Sequence, residues 1–341
     1  MRTAIFMVFG LAVFAGASAP VWTQSASSGS GARSSYSPPR TPWGDPDIQG
    51  IYTNKDENGT PMERPAEFDG LTLDEIDAAV MARLREERQA RAQAGAASIG
   101  GSAQEDTGAG PSHWYEHLDS VNARPWLVFD PPDGRIPPMT AAAQERQRAQ
   151  FGGRGRGRAG FGGNTDSFAD RSLYDRCISL GVPGSMTPMI YGNAYDITQA
   201  PGYVVIRYEM IHEARVIPVD GSPHLPSSIQ PYMGDARGHW DGNALVVETT
   251  NIHPAMGGGR GRSGGPNLKL VERFIPIDGN TLRWEVRYDD PDTWEQSWAY
   301  AMPLKRDAEH APFEYACHEG NRGLANILSA ARAEEAESGG R

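Results

Sequence analysis

Cysteine is scarce: Cys177 and Cys317 are the only two in 341 residues. That count excludes a cysteine-rich disulfide scaffold and a paired Cys-x-x-Cys zinc site. An excess of positive charge is missing as well. With a formal net charge of -11, the chain offers no broad basic surface to a nucleic acid or an anionic membrane, and neither is expected as a partner. Familiar catalytic signatures are also lacking. There is no His-Glu-x-x-His, Gly184-Ser-Met lacks the Gly-x-Ser-x-Gly elbow, and the glycine tracts lack the Lys-Ser/Thr ending of a phosphate-cradling loop. No cofactor is therefore expected. A divalent metal held by His, Asp and Glu from different strands is the competing chemistry. Long apolar runs are confined to the first residues, where Arg2 precedes a stretch from Ala4 to Ala15. It is too short to span a bilayer and is followed by small residues, the pattern of a secretory signal peptide over 1–26. Cleavage fits after Ala19 or, because Pro20 follows, after Ser25 or Ala26. The mature chain is then periplasmic or secreted, free of the membrane, and in an oxidising compartment. There Cys177 and Cys317 have three possible states: a bridge, two buried thiols, or a catalytic Cys317 beside His318. The compartment favours the bridge.

With 39% hydrophobic residues the chain has enough apolar material for a core. Residues 27–40 are rich in Ser, Gly and Pro and read as a disordered leader. Residues 41–190 read as a strand over 48–53, a helix over 71–94 and loops that wrap the main domain. Thr72 and Glu75 form a capping box for that helix, and Leu73, Ile76, Val80 and Leu84 give it an apolar stripe. The glycine tracts at 151–163 and 257–265 are flexible surface insertions by composition. From 191 to 335 strands dominate, with candidates at 193–199, 203–209, 214–219, 238–240, 244–251, 269–277, 281–289 and 294–304. Two joins share a turn, Asp241-Gly-Asn243 and Asp278-Gly-Asn280, that supplies the positive φ of a tight hairpin. The fold class is mainly β: an antiparallel up-and-down barrel or strongly curved sheet, with an N-terminal and a C-terminal helix and an interior able to hold one small ligand. The closing helix, over 323–333, is expected to pack Leu324, Ile327 and Leu328 against the barrel.

Charges appear where strands should be apolar. In Arg207-Tyr-Glu-Met-Ile-His-Glu-Ala-Arg215, Arg207 and Glu209 share a strand face, while His212 and Arg215 lie at or just past a bend. Asp235, Arg237 and His239 alternate along a second strand entry and project together. A third group, His318, Glu319 and Asn321, leaves the last strand. Imidazoles move protons near neutral pH, carboxylates orient them, and guanidinium groups hold carboxylates or developing oxyanions. The candidate catalytic set is therefore Glu209, His212, Arg215, His239 and His318. Arg207, Tyr191, Tyr195, Asp235, Arg237, Trp240, Glu319 and Asn321 are the candidate substrate contacts. Each cluster has a plain structural alternative, since buried Arg–Glu pairs and strand-end histidines often serve packing alone. His310 reads as an exposed loop residue and His224 as part of a turn.

Thr41-Pro-Trp-Gly-Asp-Pro-Asp-Ile-Gln-Gly-Ile-Tyr-Thr53, the run from Gly238 to Asn251 and Tyr315-Ala-Cys-His-Glu-Gly-Asn321 resemble an uncharacterised family of exported bacterial proteins. That resemblance implies a shared fold and brings no activity. Gly50-Ile-Tyr52 is also similar to the Gly-x-Trp first strand of lipocalin-like barrels, with Tyr in place of Trp. The reading that follows is an exported lyase or hydrolase acting on a small organic substrate in a barrel cavity. The alternative is a non-catalytic protein binding a small hydrophobic or aromatic ligand there, and a metal-dependent enzyme is third.

Overall fold

The fold is known from a computed structural model that describes residues 36–99, 116, 124–152, 165–189, 191–256 and 267–339. They fall within one compact unit, Ser34–Arg341. The expected signal peptide, most of the leader and nearly all of both glycine tracts lie outside the described residues. Ten strands form one sheet: β1 (Gly50–Thr53), β2 (Val128–Asp130), β3 (Ala194–Ala200), β4 (Tyr203–Tyr208), β5 (Ala214–Pro218), β6 (Asp235–Asp241), β7 (Ala244–Thr250), β8 (Lys269–Pro276), β9 (Thr281–Asp289) and β10 (Trp298–Arg306). Among the described residues three α-helices accompany them: α1 (Ala78–Ile99), α2 (Ala141–Gly152) and α3 (Arg322–Gly339).

The spatial order is β5-β4-β3-β1-β10-β9-β8-β7-β6, with β2 paired to β10 beside β1. Every neighbouring pair along this path is antiparallel. Nine strands of alternating direction leave the two ends, β5 and β6, pointing the same way. A parallel neighbour cannot be reached by a hairpin and needs a long crossover, which residues 219–234 supply. The two edges meet through side chains at Gly238 of β6. A Cβ there would lie 2.8 Å from Val219 Cγ1 and 3.0 Å from Ile217 Cγ2. The sheet is thus nearly closed into a barrel.

The barrel draws β1 from the segment expected only to wrap it. Gly50 has φ 145°, and a Cβ there would collide with the guanidinium of Arg306. The bare backbone lets Arg306 lie 5.0 Å over the Tyr52 ring and donate to its hydroxyl at 2.9 Å. Burial alternates strictly along β8 and β9, as a two-residue side-chain period requires. The inward positions hold Tyr52, Tyr195, Tyr208, Leu270, Phe274, Trp284, Tyr288, Trp298 and Tyr300, each 0–2 % exposed. Tyr288 stacks on Trp298 with centroids 4.5 Å apart, and Trp284 meets Tyr300 edge-on. Where a ligand was expected, side chains occupy the interior.

Elsewhere the elements shift. The Thr72–Glu75 capping box is present, but it caps a single 3-10 turn, Leu73–Glu75, and the helix proper begins at Ala78. Neither β2 nor α2 was foreseen. Helix α3 begins where Asn321 Oδ1 accepts from the Leu324 amide at 3.2 Å. Its Leu324, Ile327 and Leu328 are only half-buried rather than sunk into the barrel core. Among the described residues no helix is long and apolar enough to cross a membrane.

Candidate functional site

At the β4–β5 join two consecutive non-glycine residues adopt positive φ. After Tyr208 the chain makes a 3-10 turn, Met210–His212, in which Ile211 has φ 63° and His212 φ 48°. A β-branched residue in the left-handed region is strained, and such strain persists only where surroundings impose it. Those surroundings are close: Glu209 N donates to Ala194 O at 3.1 Å, Tyr208 N to Glu213 O at 2.9 Å, and Ile211 is buried with Leu180, Met189 and Met210. The result turns His212 outward beside Arg207 and Glu209.

These three residues line a groove of about 260 Å³, whose other wall is Pro312, Phe313 and Glu314. That wall belongs to the segment after β10. Glu209 is 5 % exposed at its side chain and lies 2.8 Å from His310 Nε2. Burial pushes its carboxyl above the usual glutamate value of 4.5, and the His310 contact only partly offsets this. His212 Nδ1 lies 3.1 Å from the Tyr315 carbonyl oxygen. A carbonyl can only accept, so Nδ1 carries the hydrogen and neutral His212 keeps its lone pair on Nε2. Arg207, half-exposed, is held by Asp196 at 2.9 Å. Phe313 is 64 % exposed and stacks loosely against His310. The groove therefore combines a carboxyl raised by burial, an imidazole, a guanidinium and an aromatic face.

The expected convergence does not occur. Arg215 points into the barrel, 3 % exposed, where it pairs with Glu272 of β8 and donates to Thr249 Oγ1 at 3.1 Å. Trp284 Nε1 donates to the other Glu272 oxygen at 3.1 Å. Burial works to lower the affinity of Arg215 for its proton, yet Glu272 and Tyr208 outweigh it and hold the group above its ordinary value. Parity explains the miss, because the five-residue join brings Arg215 onto the inward set. Tyr195 is likewise a core residue, fully buried, donating to Asn54 Oδ1 at 2.9 Å. Trp240 packs against the same core.

Asp235 and Arg237 do project together, 2.6 Å apart, on the outward face of β6. Their third partner is His224 rather than His239. Asp235 is 3 % exposed and accepts from the Leu225 amide at 2.9 Å, with His224 Nδ1 at 2.7 Å. This network fastens the crossover over the β6 edge, which a barrel with an open seam must protect. His239 is exposed further along the strand. His318 and Glu319 are exposed in a turn, and Asn321 caps α3 while its Nδ2 donates to Asp175 O at 2.9 Å. Tyr191 lies behind the groove, its hydroxyl 3.3 Å from that of Tyr315, with burial raising its pKa. Cys177 and Cys317 are bridged.

No protein-family model and no curated protein matches the chain. The site therefore stands on its geometry. Among the described residues no group of three or more His, Cys, Asp or Glu is placed to hold a metal ion. Sequence reasoning missed His310, Pro312, Phe313 and Glu314. His310 had one local signal, the Asp307-x-x-His310 spacing that lets Asp307 Oδ1 accept from the His310 amide at 3.1 Å. Its partnership with Glu209 spans 101 residues and has none.

Proposed function

We propose that this protein is an exported hydrolase or lyase that acts on a small organic molecule in the groove at the β4–β5 join. Glu209 serves as general acid and His212 as general base; His310 orients Glu209, and Arg207 meets negative charge on the substrate. One observation carries the reading: a buried carboxyl whose pKa burial raises stands in the same groove as an imidazole whose Nδ1 faces a backbone carbonyl oxygen. Two titratable groups with environments that push their roles apart are what acid–base catalysis needs. The Cys177–Cys317 bridge fits the oxidising compartment that export implies.

The test is turnover of a panel of small esters, lactones and β-hydroxy acids by the purified mature protein. For any substrate found, Glu209→Gln and His212→Ala are each expected to lower kcat by about 100-fold or more in protein that keeps a cooperative thermal transition. Turnover that survives both substitutions would end this assignment. The exposed ring of Phe313 favours a second reading, a non-catalytic site for a small aromatic or hydrophobic ligand. Its mark would be thermal stabilisation by aromatic compounds that is lost in Phe313→Ser, with no turnover of any of them.

A further inference from the structure

The groove has two walls of different construction. One is the β4–β5 hairpin, built into the sheet. The other is a strap, residues 307–317, that leaves β10 and forms neither helix nor strand. Its start is fixed by the Asp307 amide donating to Ile51 O at 2.9 Å. From there the strap is fastened by side chains: Glu209 to His310 at 2.8 Å, His212 to the Tyr315 carbonyl at 3.1 Å, and Tyr191 to Tyr315 between hydroxyls at 3.3 Å. The residues between are open to solvent, with Phe313 64 % exposed and the Glu314 side chain 66 % exposed. Two residues after Tyr315 comes the covalent fastening, Cys317 to Cys177. Cys177 sits in a firm local turn: its amide donates to Tyr174 O at 2.9 Å and the next amide to Leu173 O at 2.8 Å. Beyond the bridge the chain is next held by Asn321, whose Nδ2 donates to Asp175 O and to Cys177 Sγ itself.

We infer that the groove is redox-gated: the Cys177–Cys317 bridge clamps the strap that forms its second wall, and reduction releases that wall and dissolves the site. Partly exposed hydrogen bonds contribute little against the entropy of ordering an eleven-residue strap, whereas the bridge restricts that freedom covalently. A small dithiol is the co-reactant. It delivers two electrons and two protons to the bridge, which becomes two thiols, and closes to its own disulfide. The barrel core does not include the strap, so release is local. The gate rests on the groove being the functional site, and its test separates the two.

Hydrogen exchange of the peptide 308–316 is measured in the oxidised protein, after reduction by dithiothreitol, and in Cys317→Ser. Thiol titration establishes that two thiols have formed, and near-ultraviolet circular dichroism of the stacked Tyr288–Trp298 pair reports the barrel. Exchange in 308–316 is expected to rise about tenfold or more on reduction and in Cys317→Ser, with the aromatic signal unchanged and re-oxidation restoring protection. Turnover abolished by Glu209→Gln should vanish in the same reduced samples. Unchanged exchange in the two-thiol protein overturns the gate. So does loss of the aromatic signal in step with the strap, which would make the bridge a brace for the whole fold. Strap release with full turnover removes the groove as the seat of chemistry while leaving the tether in place.

Discussion

Glu209 and Glu213 flank the strained turn, and both carboxyls are raised by burial, the second opposed only by a 2.7 Å hydrogen bond from Ser179 Oγ. A carboxyl whose folded pKa exceeds its unfolded value binds more protons in the native state across that window. Its contribution to stability is complete below about 4.5 and is lost as pH rises through the folded value. Glu213→Gln keeps an acceptor for Ser179 and removes this loss. Its thermal midpoint should exceed the parent's at pH 8 and the difference should shrink on acidification toward pH 4; a constant difference would count against burial as the cause. In the role proposed for Glu209, general acid, the same shift governs activity. The alkaline limb of the pH–rate profile should lie above the ordinary glutamate range, and His310→Ala, which takes away a partner of the ionised form, should move it higher. At this scale the sequence was legible wherever a two-residue period applied. Asp235 and Arg237 do project together, whereas Glu209 falls just past the end of β4 and meets Arg207 only in the groove. It was opaque where a turn reset the parity, as at Arg215, or where partners lie far apart in the chain, as with Glu209 and His310.

Strands were legible to within a few residues because alternation, β-branched content and the two Asp-Gly-Asn turns agree. Three-residue β2 and the polar α2 carry no such redundancy and only become elements by docking. Charge inside an element is a different matter. The Arg215–Glu272 pair joins β5 to β8 through the barrel interior, with side chains 3 % and 0 % exposed. Removing one partner leaves the other charge buried, so Arg215→Met or Glu272→Leu alone should cost about 3 to 5 kcal/mol. The double variant should recover most of that in denaturant titrations. Additive losses would show that the pair is not coupled. The seam offers a second check. Gly238→Ala places a methyl 2.8 Å from Val219 Cγ1, and packing of that kind typically costs about 1 to 3 kcal/mol. Shortening Val219 to Ala in the same chain should relieve it.

Up-and-down barrel or curved sheet was the expectation for the whole molecule, and a nearly closed barrel is the outcome. What the interior would contain was not legible. Tryptophan and tyrosine on inward positions line a cavity or fill it depending on how strands tilt, and strand spacing says nothing of tilt. Here they fill it, and the groove lies outside the interior, at the β4–β5 join. The path of the sheet has one more implication. Read from β6 through β10 and on through β1, β3, β4 and β5, it follows chain order except at the step from β10 to β1 and for β2, which falls between β1 and β3 in the chain and pairs with β10. Strands β10 and β1 lie side by side, with Tyr52 opposite Arg306. The natural ends of the barrel are therefore neighbours, and the crossover at 219–234 is the true discontinuity. A circular permutant that begins in the crossover and joins the chain ends beside β10 and β1 would remove that crossover, while the segment between β1 and β3, which carries β2, would stay a long connection.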